Sequence, residues 1–292
     1  MDALHAIIDA IALGSIYALV AMGITLIFGV MRLINFAHGE MITAGAYSFV
    51  VTTELPLVLR IIVMFATVIA FSLAIELGLR PLRNASPAAL LVTTFAFSFL
   101  LQSIFLLVWS SQGDNPRVLS KLNEALSVGD LKIRWVTFAA IGVGAILLVA
   151  TALFLNRTSL GLQMRAAAHD FRTARILGVR ANNVIMLAFL IAGVLAAAAT
   201  PLLVVQRPLA TPTFGFSLAI PALVGVVVGG MDRIVTGTLG GFLIGFVTVI
   251  LGNYLESGRV FLTSVVFALV IVVLVLRPNG VLSRRNATVE RV

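Results

Sequence analysis

Residues 135–155 read WVTFAAIGVGAILLVATALFL and residues 184–206 read VIMLAFLIAGVLAAAATPLLVVQ. Between them lies NRTSLGLQMRAAAHDFRTARILGVRANN, residues 156–183. Neither apolar run contains a charged residue, and each has the roughly 20 residues that an α-helix needs to cross ~30 Å of hydrocarbon. The insert carries Arg157, Arg165, Arg172, Arg175 and Arg180 against the single acid Asp170. The pattern is a membrane span, a basic extramembrane insert, and a second span. β-Barrel spans are shorter and alternate in polarity, whereas these runs are continuously apolar.

Working outward, the same kind of run recurs at 7–31, 33–52, 61–79, 88–110, 214–231, 234–255 and 260–276. The fold class is therefore all-α, a polytopic transmembrane helical bundle of eight to nine hydrophobic segments, some broken or re-entrant. Two runs are the weakest. Segment 33–52 carries Asn35, His38 and Glu40; segment 214–231 follows Pro212, contains Pro221 and ends at Gly229-Gly230. Non-helical backbone at membrane depth is tolerated only where protein or a cavity covers it. Making one of the two re-entrant moves the C-terminus across the membrane, so zero or two is expected rather than one. Residues 1–292 read as a single membrane domain with the insert, about 157–182, as an elbow.

Composition agrees. Of 292 residues, 60% are hydrophobic and 11% charged, with a mean hydropathy of +1.12. A soluble domain carries about a quarter charged residues, so a soluble enzyme and a disordered chain are both excluded. The net charge of +8 comes from single or paired basic residues between apolar runs, with no continuous basic face for nucleic acid. With the N-terminus outside and nine crossings, thirteen basic residues fall inside and seven outside. Lys and Arg prefer cytoplasmic loops, so N-out and C-in is expected. No Lys or Arg precedes Arg32, so the first run lacks the basic flank of a cleavable signal and is expected to be retained.

Several chemistries have no seat. Cysteine is absent, which removes disulfides and thiolate metal sites. There is no G-x-x-x-x-G-K-[ST] phosphate loop, no G-x-S-x-G elbow, and the three histidines (His5, His38 and His169) are widely spaced. No metal, no cofactor and no catalytic residue is expected in this chain. Energy for any pumping would come from an ion gradient or from another subunit.

Three features remain. Asn35, His38 and Glu40 form the most polar cluster near an apolar segment. Either they line a substrate route or brace a gate, or they sit at the headgroup boundary and cap the second span. Glu76 and Arg80 stand one helical turn apart, a structural pair. Residues 159–180 divide into two short helices. Thr158 or Ser159 caps the first; the second runs through Phe171, Ala174 and Leu177 on one face and ends at Gly178. Such an elbow either lies on anionic lipid or presents a helix to a soluble partner. The 111–134 loop is long enough for a short surface helix. Gly225-x-x-x-Gly229 and Gly241-x-x-x-Gly245 are expected to pack helices within the chain.

Four stretches carry a resemblance that spans nearly the whole chain: LGSIYALVAMGITLIFGVMRLINFAHGEMITAGAY (13–47), GLQMRAAAHDFRTARILGV (161–179), VVGGMDRIVTGTLGGFLIG (227–245) and LVLRPNGVL (274–282). Together they resemble the LivH-type permease of branched-chain amino acid ABC importers. The resemblance implies a permease subunit in a bacterial inner membrane. It also implies a second, LivM-like permease, two cytoplasmic ATPase subunits and an external substrate-binding protein. In this light the elbow is similar to the coupling segment of ABC permeases, with Arg165, Asp170, Ala174 and Gly178 as coupling residues. The chain departs from the family pattern at Pro221 and at Thr200-Pro201, so the implied substrates range from leucine-like amino acids to urea and short amides. The alternative is a stand-alone ion-coupled secondary transporter or channel for a small solute.

Overall fold

The computed structural model describes residues 2–83, 85–109, 111–116, 118–128, 131–231, 233–255, 260–277 and 280–282. Every apolar run is found as a helix: α1 (Asp2–Met31), α2 (His38–Val51), α3 (Leu57–Leu79), α4 (Pro87–Trp109), α5 (Trp135–Arg157), α8 (Ala181–Gln206), α9 (Phe214–Gly229), α10 (Ile234–Tyr254) and α11 (Leu262–Leu276). The insert folds as α6 (Ser159–His169) and α7 (Phe171–Ile176). Among the described residues, six helices are long and apolar enough to cross a bilayer: α1, α3, α4, α5, α8 and α10. At 1.5 Å per residue, α2, α9 and α11 reach only about 21, 24 and 22 Å. Both runs singled out for their polar and proline content form short helices. α11 fills 262–276 of the expected run 260–276 as one uninterrupted apolar helix.

Contacts between distant residues sort the ends of the helices into two faces. At one, the Arg32 guanidinium donates to the Ala168 carbonyl at 2.9 Å, Arg83 donates to Asn182, and Val281 N–H donates to Val228 O at 2.7 Å. This is the elbow end. At the other, Thr137 donates to Asp9 at 3.3 Å and Arg60 donates to the Phe49 and Pro116 carbonyls. There Asp114 and Ala210 also exchange backbone hydrogen bonds. The helices alternate between these ends, so α1 starts and α11 finishes on opposite sides. Ten basic residues of the described chain lie toward the elbow end and five toward the other. Asn84, Arg117, Asp232, Arg259, the Pro278-Asn279 pair and the tail arginines Arg284, Arg285 and Arg291 lie outside the described residues.

The long loop departs from expectation. Where the loop has room for a short surface helix, a 3-10 turn (Ser120–Asn123) leads into β1 (Ala125–Val128) and β2 (Leu131–Arg134), paired antiparallel with Leu126 opposite Ile133. The reason is the period-two pattern of Leu126 and Val128, then Leu131 and Ile133, around the sequence Gly129-Asp130.

α1 and α8 form the buried centre; Ile16, Leu19, Ile27, Ala192 and Ala196 are fully covered. The glycine pairs work inside the chain. A Cβ on Gly225 would lie 2.7 Å from Gly241 Cα, and one on Gly245 would lie 2.8 Å from Gly14 Cα. α9, α10 and α1 therefore touch backbone to backbone, which a dispersion-driven contact in lipid rewards.

Candidate functional site

The elbow is built from caps. The Thr158 hydroxyl accepts from Gly161 N at 3.0 Å and starts α6. Asp170 ends α6 and starts α7, its carboxylate accepting from Arg172 N at 3.0 Å, from Thr173 N at 3.2 Å and from the Thr173 hydroxyl. The Thr173 hydroxyl bond, then its backbone N–H, holds the Asp170 carboxyl below the usual carboxylate value. A depressed folded pKa means the cap is in place above the unfolded pKa and is lost only as pH falls through the lower folded one. The cap is thus intact throughout neutral pH. Gly178 ends α7 at φ +91°, and Val179 N–H closes the turn on Ala174 O at 3.0 Å.

What the elbow shows to solvent is informative. Arg165 and Asp170 are exposed, and Ala174 is buried against the bundle. Ile176 and Leu177 are each 79% exposed. Leu177 departs from the expected apolar face because α7 ends at Ile176, so the following residue turns outward. An apolar knob amid Arg172, Arg175 and Arg180 can enter a groove on a partner. The sequence reading missed Gly161: a Cβ there would lie 2.4 Å from Phe154 O, so only glycine lets α6 fold back against the end of α5. The Thr-x-x-Gly spacing after Arg157 is the signal that marks it.

Two connections lead inward from the elbow. One is the Arg32–Ala168 bond to the segment that opens α2. The other runs from Asn182, in the first turn of α8, to Arg83 and then to Glu76. Glu76 is 1% exposed and also holds Arg80 at 3.1 Å. The expected Glu76–Arg80 pair is present; Arg83 and Asn182, not singled out from sequence, extend it to α8.

The segment 32–37 does not stay at the headgroups. The His38 ring lies 2.8 Å from where a Gly23 Cβ would be. Gly23 is eight residues before the end of α1, about 12 Å along its axis. The chain leaves α1 at Arg32 with φ +52°, folds back into the bundle, and only then starts α2. Asn35, His38 and Glu40 are all buried there, at 4%, 0% and 0% exposure. They face different neighbours. Glu40 Oε1 accepts from Ser98 Oγ and Gln102 Nε2 of α4, both at 2.8 Å. His38 turns toward Gly23 of α1, and Asn35 Oδ1 accepts from Ala37 N at 3.1 Å. Asn35 Nδ2, both His38 ring nitrogens and Glu40 Oε2 are buried without a hydrogen-bond partner. Unsatisfied polar atoms at such depth are costly, a sign of a conformation that changes or a site that is filled. Ser98 and Gln102 went unnoticed in the sequence, although Thr94, Ser98 and Gln102 repeat every four residues along α4.

Residues 6–276 match the family described as the permease component of branched-chain amino acid transport systems. The chain is similar to the high-affinity branched-chain amino acid transport system permease protein BraD of Pseudomonas aeruginosa, 32% identical over 96% of each chain. It is also similar to LivH of Escherichia coli, 30% identical over 96% of each. Among solved structures, PsaBC from Streptococcus pneumoniae in complex with Fab matches with a TM-score of 0.52 at 16% identity. That match covers 94% of this chain and 92% of the other, a likeness of fold.

Proposed function

This chain belongs to the family of permease components of branched-chain amino acid transport systems, and from that premise we propose that it forms half the passage of an ATP-driven importer of branched-chain or related amino acids. A second, LivM-like permease supplies the other half. Two cytoplasmic ATPases drive the pair, and an external binding protein delivers the substrate. The observation that carries the reading is the elbow, a capped helical pair with an exposed Ile176–Leu177 knob in a basic setting. When the ATPases close on ATP, a push on α7 passes through Ala174 to the bundle, through Arg32 to the start of α2, and through Asn182 and Arg83 to α3. Asn35, His38 and Glu40 line or gate the passage at the point where α2 begins.

Orientation follows from charge: the elbow end, richer in Arg, faces the cytoplasm of an inner membrane. A reporter active only in the cytoplasm, fused after Val292, is expected to be active, and one inserted at Asn115 inactive. The reverse pattern contradicts the assignment.

The passage binds weakly. Among the described residues, the buried carboxylate beside the start of α2, Glu40, is engaged by neutral donors on α4 rather than set opposite a cation, so no pair of fixed charges there grips ammonium and carboxylate together. Selectivity among uncharged amino acids then resides in the binding protein. Exchanging that protein for one of different specificity that still docks is expected to move the uptake preference with it. A preference unchanged by the exchange identifies the permease as the filter. The function itself is tested by reconstitution: uptake should require ATP and the ATPase subunits.

A further inference from the structure

α9 begins where α2 begins. A Cβ on Gly39 would lie 2.7 Å from Gly215 O, and Gly215 N–H donates to the Thr43 hydroxyl at 2.9 Å. Beside this contact is a small cleft. Its walls are Ile24 of α1, Phe36 of the folded-back segment, and Phe216, Ala219, Ile220 and Leu223 of α9, with Asn35 as the polar residue. Phe36, Phe216, Ile220 and Leu223 are only half-buried, so the cleft opens on the protomer's own flank within the membrane. Phe95 of α4 bridges its rim, edge-on to Phe36 at 5.8 Å and to Phe216 at 6.4 Å.

Three independent features mark this cleft as functional. Asn35 lines it with a buried amide nitrogen that has no partner in the protein. The backbone around it is non-helical between Arg32 and Ala37, which membranes tolerate where the chain is buried in protein or faces a cavity. The walls come from α1, the joint that leads into α2, and the short helix α9, and α9 meets the start of α2 through Gly39 and Gly215, so a small displacement there changes the opening. Only about 10 Å³ is free, roughly a water's worth, so in this conformation the cleft is too narrow for an amino acid.

We propose that the Asn35–Phe216–Ile220 cleft is the substrate-contact site of this protomer, taking an aliphatic α-amino acid with its side chain against Ile24, Ile220 and Leu223 and its carboxylate on Asn35 Nδ2. The inference rests on the transport function proposed above and assigns it a place. An amide donor to a carboxylate oxygen is a neutral, releasable contact, and the branched apolar walls exclude charged side chains through desolvation. Opening on the flank, the site is completed by whatever permease covers that face. Separation of α9 from α2 at Gly39–Gly215 opens it, and the aromatic rim of Phe36, Phe95 and Phe216 closes it.

The natural absence of cysteine makes the test direct. Ile220→Cys and, separately, Leu223→Cys are introduced and the complete importer is reconstituted with its binding protein. Reaction of this chain with a small thiol reagent is followed during ATP-driven turnover. Leucine is expected to slow labelling several-fold at either position, and glutamate to leave it unchanged. Val149→Cys, on an exposed stretch of α5, is expected to label at the same rate with or without leucine. Adding Asn35→Ala to Ile220→Cys is expected to weaken the protection by leucine. If leucine protects neither position, or protects Val149→Cys equally, or protects as well without Asn35, the assignment is wrong. The wild-type complex reports on the underlying reading separately: loss of ATP-dependent leucine uptake there overturns the function rather than the site.

Discussion

Replacing Gly178 by Val is expected to abolish uptake while ATP hydrolysis by the assembled complex continues. Gly178 sits at φ +91° with nothing within 4 Å of the place a Cβ would occupy. The penalty is therefore conformational rather than steric. A β-branched residue in the left-handed region is an outlier, and the strain is about 1–2 kcal/mol even for an ordinary side chain. α7 has six residues and cannot absorb that along its length, so its end unwinds and the Ile176–Leu177 knob is displaced. A docking contact weakened by 1.4 kcal/mol is weakened about tenfold. Gly178→Asn is the control: asparagine accepts the left-handed conformation and is expected to retain most uptake. Ala174→Asp attacks the same transmission from its buried side and is expected to uncouple likewise. Both uncoupling variants should insert normally, because neither residue lies in a span. Wild-type uptake in Gly178→Val and Ala174→Asp together shows that the elbow is not the coupling element.

The second large effect is expected at Glu76. Its carboxylate is 1% exposed and accepts from Arg80 and Arg83, the latter also holding Asn182. Glu76→Ala removes the shared acceptor and leaves Arg83, whose side chain is 15% exposed, without its anion. Breaking one partner of a buried pair costs about 3–5 kcal/mol, and Arg80 contributes less because its side chain is 40% exposed. The tie between the α3–α4 turn and α8 should fail, lowering the thermal midpoint of the purified protein. Glu76→Ala combined with Arg83→Ala is expected to be less destabilised than the sum of the two single variants, since the second change removes the stranded charge. Additive losses indicate that the pair does not connect these helices.

Much of the bundle was legible because the bilayer imposes one rule, continuous apolarity over a fixed length, and each run obeying it became a helix. Two caps of the elbow were equally legible: Thr158 and Gly178 act through local backbone chemistry that a few neighbouring residues specify, whereas Asp170 was not read as the cap of α7. The hairpin was not legible, because its alternation is brief and lies in a polar loop. Least legible was the depth of residues 32–37. The sequence shows polar residues beside Arg32, and both a headgroup position and a folded-back segment satisfy that pattern. What decides between them is tertiary: the Gly23 notch on α1 that admits His38, and Ser98 and Gln102 on α4 that engage Glu40. Those partners are 15 to 62 residues away in the chain, and no local pattern links them.

The measurement that bears most directly on this account is leucine accumulation in proteoliposomes holding this chain, its second permease and the ATPases, with the binding protein outside. Accumulation that requires ATP inside and stops when the ATPases are omitted is the predicted result. Accumulation by this chain alone, driven by an imposed proton or sodium gradient and indifferent to ATP, would contradict it.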